Sequence, residues 1–172
     1  LGGVSLLPMS TPERFKFGVA RTFQAARVFP SLTVEQNIRL TVKNQPERVA
    51  ELLQQFGLPG KQDSKDSPMF VRRLTEIARA IASPKKVLIL DEPLAGLTPT
   101  QHELVLKSVQ AVAATGTAVI IVEHLIQTVA KVCDRLIVLS NGALIADGPA
   151  ALVLKDDLVV GAYLGKSMEQ EA

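Results

Sequence analysis

Apolar residues along this chain follow two spacings, one typical of helices and one typical of buried strands. After Pro46 they recur at intervals of three and four, which predicts an amphipathic helix that ends near Gly57. Val87–Leu90 is instead a continuous apolar run, typical of a strand buried on both faces of a parallel sheet. Thr117–Val122 has the same character. The pattern therefore predicts helices that pack on buried parallel strands.

Flanking residues add further elements. Thr33 with Gln36 three residues later predicts a capped helix start, and Ser67 followed by Pro68 predicts another, with Ser67 as N-cap and Pro84 as the end. The other predicted elements are a strand over Gly18–Phe23, a loop over Lys61–Ser67, a helix from Thr98 to near Gly116, a helix over Leu125–Val132, a strand over Arg135–Leu139, a hairpin turn at Asn141–Gly142 into Leu144–Ala146, and two short helices at the end of the chain. Strands that alternate with helices predict an α/β fold, a mostly parallel sheet with helices on both faces.

Composition narrows the class of protein. The chain has 172 residues, of which 47% are apolar, so it can form a packed core of about one domain and is not a disordered chain. With 19 basic and 17 acidic residues the net charge is +2, which gives no indication of nucleic-acid binding. Cys133 is the single cysteine and cannot form an internal disulfide. No run of about 18 apolar residues occurs, so we expect no membrane-spanning helix.

Polar residues follow three of the predicted strands, at the edge where parallel sheets bind ligands. Asp91 and Glu92 end the Val87 strand, and two acids there suit a magnesium nucleotide, one holding the metal and the other activating water. His124 follows the next buried strand, where it can bind a phosphate or simply cap a helix. Gln24 follows the first strand. Each signal is weak alone, but their joint placement predicts a nucleotide site.

These segments together resemble the motifs of the ATP-binding cassette (ABC) ATPases. Ala20–Gln24 resembles the Q-loop, Val87–Pro93 the Walker B motif, Leu94–Pro99 the D-loop and Val122–His124 the switch-histidine motif, and the resemblance runs from about Gly18 to Gly165. The Arg-Thr-Phe-Gln sequence and the ending Ala162–Gly165 resemble the branch that serves branched-chain amino acid importers. The resemblance implies a P-loop NTPase-like core with a small helical subdomain and a missing N-terminal part.

The resemblance also implies a division of the chain and a role for each site residue. It places core with the Q-loop at 1–32, a helical subdomain at 33–83, core with the Walker B motif, D-loop and switch histidine at 84–165, and a tail at 166–172. It implies ATP and Mg²⁺ as cofactors, with Glu92 as general base, His124 as phosphate contact, and Asp91 and Gln24 as magnesium ligands or as residues that hold water. It further implies a second ABC ATPase subunit and a transmembrane permease as partners, no nucleic acid, no membrane insertion of its own, and a cytoplasmic location on the inner face of the plasma membrane.

Two departures from the family pattern change the expected activity. No G-x-x-x-x-G-K-[ST] loop, the Walker A motif that cradles phosphates, occurs in the sequence. We therefore expect the chain to begin after that loop, to be inactive alone and to be marginally stable. The positions of the family's Leu-Ser-Gly-Gly-Gln signature fall on Ser67–Val71, where Met69 and Phe70 add bulk that either blocks phosphate contact or packs against the helical subdomain.

Two hypotheses follow. The first is an ATP-hydrolysing subunit of an importer for branched-chain amino acids or similar solutes. The second is a degenerate, non-catalytic cassette that pairs with an intact ATPase. A cassette of DNA repair or translation has no support from charge or from extra domains.

Overall fold

The structure is a computed structural model, and it describes residues 1–42, 44–82 and 85–164. It divides into two compact units, Leu1–Val122 and the part from Glu123 onward. Pro84, predicted to end a helix, Gly165 and the predicted tail at 166–172 lie outside the described residues. The division into core and helical subdomain remains a prediction.

The first unit contains a parallel sheet of three strands, β1 (Val19–Arg21), β2 (Val87–Asp91) and β3 (Ala118–Val122), in the order β1-β2-β3. The register pairs Val19 with Val87 and Val87 with Ala118, so the three strands begin level. Leu88 and Leu90 of β2 are fully buried. The parallel strands predicted from the apolar runs are therefore confirmed, with β2 at the centre of the sheet.

The prediction that Thr117–Val122 is buried on both faces is wrong. Exposure alternates along β3, and Ile120 and Val122 are each 51% exposed. Within the described residues β3 pairs only with β2, so it lies at an edge of the sheet. An apolar run indicates a buried strand only where both faces of the sheet are covered.

Five helices of the first unit have predicted or recognisable start signals. Their bounds are α1 Thr11–Phe17, α2 Val34–Arg39, α3 Pro46–Gln55, α4 Met69–Ala82 and α5 Pro99–Ala114, with a 3₁₀ turn at Ser64–Asp66. Thr33 caps α2 and Thr98 caps α5, each with a glutamine three residues later, and the first of these caps was predicted from the capping-box spacing. Helix α1 was not predicted, although Ser10 and Glu13 form the same kind of capping box.

The predicted start of α4 needs correction. The helix begins at Met69 rather than Pro68, and the Pro68 carbonyl accepts the first helical hydrogen bond, from Arg72 N–H, at 3.1 Å. The Ser67 hydroxyl donates to the Asp63 carbonyl at 3.0 Å, and within the described residues it accepts no hydrogen bond from an N–H of α4. It therefore fixes the loop that precedes α4 rather than the start of the helix.

The second unit is built around an antiparallel hairpin of β4 (Arg135–Ser140) and β5 (Ala143–Pro149). Asn141 and Gly142 both have positive φ, 48° and 79°, as the predicted type I′ turn requires. Four short helical segments complete the unit, α6 Ile126–Val129, α7 Ala150–Val153, α8 Asp157–Val159 and a π turn at Val160–Leu164. Its core contains Leu136, Val138, Ala150, Val153 and Val159.

Candidate functional site

The ends of β1 and β2 are tied together by a buried threonine. The Thr22 N–H donates to the Ile89 carbonyl, and the Thr22 hydroxyl accepts from the Asp91 N–H, both at 3.0 Å. Thr22 is completely buried. These two bonds continue the pairing of the strands past β1 itself, so the residues that follow each strand emerge side by side. Sequence analysis missed this role, since a single threonine after a strand carries no signal of its own.

Gln24 and Glu92 are brought into contact by this arrangement. Gln24 Nε2 donates to Glu92 Oε2 at 3.2 Å, although the two residues are 68 positions apart. An ionised carboxylate only accepts hydrogen bonds, so the amide presents its nitrogen to Glu92 and keeps its oxygen available for a cation or water. Two of the four predicted site residues therefore form one polar group.

Glu92 has an unusual backbone. Its φ is 44°, in the left-handed region that residues other than glycine seldom adopt, while its N–H donates to the Val122 carbonyl at 2.9 Å. A left-handed conformation costs an ordinary residue about 1–2 kcal/mol. Such strain persists where the surroundings hold it, and it clusters at functional sites. The turn after β2 thus directs Glu92 towards Gln24 at the expense of local backbone energy.

Asp91 is paired with a residue that sequence analysis did not assign. Arg21 Nη2 lies 3.2 Å from Asp91 Oδ2, and Arg21 also stacks over the Phe23 ring at 4.7 Å. Because β1 and β2 are adjacent parallel strands, an arginine at the end of one reaches the aspartate at the end of the other. The pair is partly exposed, so the guanidinium can leave the carboxylate without a large penalty. Arg21 therefore places a positive charge next to the Asp91 carboxylate.

A buried ion pair on α4 lies under the segment that carries Gln24. Arg73 Nη1 lies 3.5 Å from Glu76 Oε2, and the side chains of both residues are at least 94% buried. Burial raises the pKa of Glu76, although Arg73 and hydrogen bonds from the backbone oppose the rise. Glu76 Oε2 makes no hydrogen bond within the described part of the chain, but a cavity of about 100 Å³ beside Glu76 has room for water.

The site offers oxygen atoms that could serve as ligands for Mg²⁺. Asp91 and Glu92 supply carboxylate oxygens and Gln24 an amide oxygen, the hard ligands that Mg²⁺ prefers. Among the described residues, no group of three or more histidine, cysteine, aspartate or glutamate side chains could enclose a metal. Oxygen ligands of this kind suit an ion that keeps several waters and is also bound by substrate phosphates.

His124 belongs to the second unit, and the structure does not test its predicted contact with phosphate. Its side chain is exposed, and Nδ1 lies 3.6 Å from the Glu123 carboxylate. The imidazole is therefore accessible to a ligand, while Glu123 supplies a nearby negative charge. Its role as phosphate contact stays a prediction.

The altered signature segment lies at the start of α4. Met69 is 67% exposed and Phe70 is 41% exposed, whereas Val71 is buried. The alternative that these side chains pack against the helical subdomain does not hold for Met69, whereas for Phe70, more than half of which is covered, it stays a prediction. At the first turn of α4 the chain presents apolar side chains to solvent where the family has glycines.

Comparison with known proteins shows to which family the chain is related. The profile of the family described as ABC transporter matches residues 5–95, which include the Q-loop and Walker B segments. The chain is 31% identical to the lipopolysaccharide export ATP-binding protein LptB of Haemophilus influenzae, over 96% of this chain and 72% of the relative. The chain belongs to the ABC transporter family. The family predicted from the motifs is confirmed.

Other relatives bear on the narrower prediction. The chain is 31% identical to LptB of Escherichia coli K12, over 95% of this chain and 71% of the relative. It is 28% identical to a probable branched-chain amino acid transport ATP-binding protein, LivG, of Archaeoglobus fulgidus, over 89% of this chain and 68% of that relative. The branched-chain branch is therefore not confirmed.

Solved structures agree on the fold. An ATP-binding subunit of an ABC transporter matches 99% of this chain and 74% of its own with a TM-score of 0.80 at 22% identity. The cassette MJ0796, a dimer bound to ADP and Pi, matches 87% of this chain and 72% of its own with a TM-score of 0.76 at 18% identity. The predicted P-loop NTPase-like α/β fold is confirmed. No helix in the described residues is long and apolar enough to span a membrane.

Proposed function

We propose that this chain is the ATP-binding and ATP-hydrolysing part of an ABC transporter subunit. The observation that carries the proposal is the contact of Gln24 with Glu92, beside Asp91, at the carboxyl edge of the parallel sheet. The same residues stand in the order of the family's Q-loop and Walker B motifs. The partners would be a second cassette and transmembrane permease subunits, with the cassette on the cytoplasmic face of the membrane.

Each site residue has a chemical role in this proposal. Glu92 is the general base, because its carboxylate can accept a proton from a water oriented by the Gln24 amide. Asp91 and the amide oxygen of Gln24 would hold Mg²⁺, which would supply charge stabilisation for the phosphates. Arg21 pairs with Asp91 at 3.2 Å and would have to give up this pair for Asp91 to bind the ion. His124 is retained as phosphate contact by resemblance alone.

Replacing Glu92 tests the catalytic part of the proposal. In the complete product of the gene that encodes this chain, Glu92→Gln should abolish ATP hydrolysis and preserve ATP binding, because glutamine keeps the size of the side chain but cannot accept the proton. Hydrolysis at the wild-type rate would remove Glu92 from this role. The matched control is Glu103→Gln, which changes an exposed glutamate on α5 that pairs with Lys107 and should leave hydrolysis unchanged.

A binding titration of residues 1–172 tests the importance of the phosphate-cradling loop. Because this sequence contains no Walker A motif, we expect no tight binding of magnesium-ATP to these residues alone. Binding at sub-micromolar concentration would contradict this expectation. Fluorescence of a labelled ATP analogue, competed with unlabelled ATP, provides the measurement.

The transported solute is a narrower proposal. We infer import of branched-chain amino acids or similar solutes, which the Arg-Thr-Phe-Gln sequence and the LivG relative support. The LptB relatives, at higher identity, support export of lipopolysaccharide instead. Deletion of the gene separates the two: reduced uptake of labelled leucine supports import, whereas normal uptake with reduced lipopolysaccharide at the cell surface contradicts it.

A non-catalytic cassette that pairs with an intact ATPase is the second candidate. The exposed Met69 and Phe70 at the tip of α4 favour it, since bulky apolar side chains there hinder the close approach of helix N–H groups to a phosphate. The double change Met69→Gly and Phe70→Gly tests it in the complete gene product. A gain in ATP hydrolysis supports the second candidate, and unchanged hydrolysis contradicts it.

A further inference from the structure

Gln24 is held by a part of the molecule remote from it in sequence. Glu76 Oε1 accepts hydrogen bonds from the Phe23 N–H at 3.3 Å and from the Arg27 N–H at 3.1 Å. Arg73 Nη1 donates to the Phe23 carbonyl at 2.8 Å, and Arg73 Nη2 donates to the Gln24 carbonyl. Four backbone groups around Gln24 are therefore bound by two side chains from one face of α4.

Side chains supply most of the hydrogen-bond partners of this segment. Residues 23–29 form neither helix nor strand, and besides Arg73 and Glu76 the partners of their backbone groups include Asn37 at Phe29 and Arg79 at Arg27. The Phe23 ring is stacked between the Arg21 and Arg27 guanidinium groups, at 4.7 and 4.4 Å, but these contacts lie at the exposed surface. The buried anchor comes from Arg73 and Glu76, whose side chains are only 6% and 2% exposed.

We propose that Arg73 and Glu76 are a positioning pair, which fixes the backbone on both sides of Gln24 and thereby sets the contact of its amide with Glu92. The inference rests on the proposed ATPase function. The path is short and continuous: the pair holds the Phe23, Gln24 and Arg27 backbone, and the Gln24 side chain reaches Glu92 at 3.2 Å. Both side chains are buried against the backbone of residues 23–27, so both would act through Gln24.

Charge and shape explain why this pair suits the task. The guanidinium presents parallel N–H groups that bind two successive carbonyls, and the carboxylate accepts from two N–H groups at one oxygen. The residues lie three positions apart on α4, so one helical turn supports both. A displacement of about 1 Å at a catalytic group can lower a rate roughly a hundredfold. Small changes in this pair should therefore appear in the rate of hydrolysis.

Hydrogen exchange of the nucleotide-free protein tests whether Arg73 and Glu76 hold the backbone around Gln24. In residues 1–172, Glu76→Leu removes the shared acceptor, so the Phe23 and Arg27 amides should exchange roughly tenfold faster or more, while Glu76→Gln keeps an acceptor and should largely restore protection. Thr75→Val is the matched control. It removes a buried hydroxyl from the same helix, whose bond to the Val71 carbonyl does not involve residues 23–27. Unchanged exchange of Phe23 and Arg27 in Glu76→Leu would overturn the proposal.

Kinetics of the complete gene product test the consequence. Glu76→Leu should lower kcat for ATP hydrolysis roughly ten- to a hundredfold with KM for magnesium-ATP unchanged. In a Gln24→Ala background the same change should have no further effect, because its action passes through Gln24. An unchanged kcat, a change confined to KM, or an equal loss in the Gln24→Ala background would each overturn the inference.

One further variant, together with Gln24→Ala and Glu92→Gln, keeps the outcomes distinct. If Glu76→Leu fails to fold, Arg73→Lys serves instead, since a single ammonium cannot bind both carbonyls as the guanidinium does, and kcat should again fall. Unchanged kcat in Arg73→Lys would overturn the inference. If Gln24→Ala and Glu92→Gln both retain wild-type hydrolysis, the proposed roles of these two residues fail, and hydrogen exchange alone then decides whether Arg73 and Glu76 hold the backbone around Gln24.

Discussion

Removing the Glu76 carboxylate should lower the free energy of unfolding of the first unit, and the contacts of this residue indicate by how much. Glu76→Ala leaves the Arg73 guanidinium buried without its ion-pair partner and deprives two backbone N–H groups of their acceptor. Loss of one member of a buried ion pair costs about 3–5 kcal/mol. We expect the lower end, about 3 kcal/mol, because Arg73 keeps its bonds to the Phe23 and Gln24 carbonyls.

Urea unfolding of the complete gene product, followed by far-ultraviolet circular dichroism, measures this change as a lower midpoint at an unchanged m-value. Arg73→Met and the double variant complete a thermodynamic cycle, in which the double change should cost less than the sum of the single changes by more than about 0.5 kcal/mol. Glu103→Ala, which breaks an exposed pair with Lys107, should cost less than about 0.5 kcal/mol. Two results would refute the reasoning. The first is that the effects of the two single changes on the free energy of unfolding simply add in the double variant, and the second is that Glu76→Ala lowers this free energy by less than about 1 kcal/mol.

Three further predictions concern the site and its surroundings. Glu92→Gly should be about 1 kcal/mol more stable to urea than Glu92→Ala, because glycine tolerates the left-handed backbone at this position; equal stability of the two variants would argue against strain there. Arg21→Gln should strengthen Mn²⁺ binding to the complete gene product two- to fivefold, measured by electron paramagnetic resonance, because a cation no longer competes for Asp91; weaker or unchanged binding contradicts this. Burial, together with the positive charge of Arg48, lowers the pKa of Lys85 from 10.5 to about 8. The charged form of Lys85 therefore opposes folding below pH 8, and this opposition fades as the pH rises from 8 towards 10.5. The midpoint of urea unfolding should therefore rise over that range in the wild type relative to Lys85→Met, and parallel curves would contradict the assignment.

Local signals in the sequence were sufficient for much of the fold. The capping residues Thr33 and Thr98 begin helices in the structure, and the Asn141–Gly142 dipeptide forms a turn with two positive φ angles. These features depend on neighbours within a few positions, so a single sequence contains the whole determinant. Helix α1 shows that the signal can be present and overlooked, since the Ser10–Glu13 capping box is of the same kind.

Features that depend on tertiary contacts were out of reach. An apolar run does not reveal whether both faces of its strand are covered, and β3 leaves Ile120 and Val122 half exposed. The Ser67 hydroxyl can donate to a loop carbonyl as well as accept from a helical N–H, and the sequence does not show that only its bond to the Asp63 carbonyl forms. Likewise, the Arg73–Glu76 anchor joins α4 to a segment about 50 positions earlier, and no spacing rule predicts such a contact.

For the site itself, sequence order was enough to choose residues but not to explain how they are held. Gln24, Asp91 and Glu92 were selected because each follows a strand, and parallel pairing of β1 with β2 is what brings Gln24 to Glu92. The residues that fix this contact, Thr22 and Arg73 among them, have no distinctive pattern. Their chemistry becomes meaningful only when their partners in space are known.

Two energetically unfavourable features of the first unit both act on the contact between Gln24 and Glu92. Glu92 adopts a left-handed backbone, and Glu76 carries a charge that burial disfavours, as its raised pKa shows. Burial of an ion pair rarely adds stability relative to apolar residues of similar volume, and a strained turn always subtracts from it. The strain at Glu92 directs that residue towards Gln24, and the buried charge holds the backbone of Gln24 in place. Because folding alone favours neither feature, their common target indicates that the geometry of this pair, rather than stability, accounts for both.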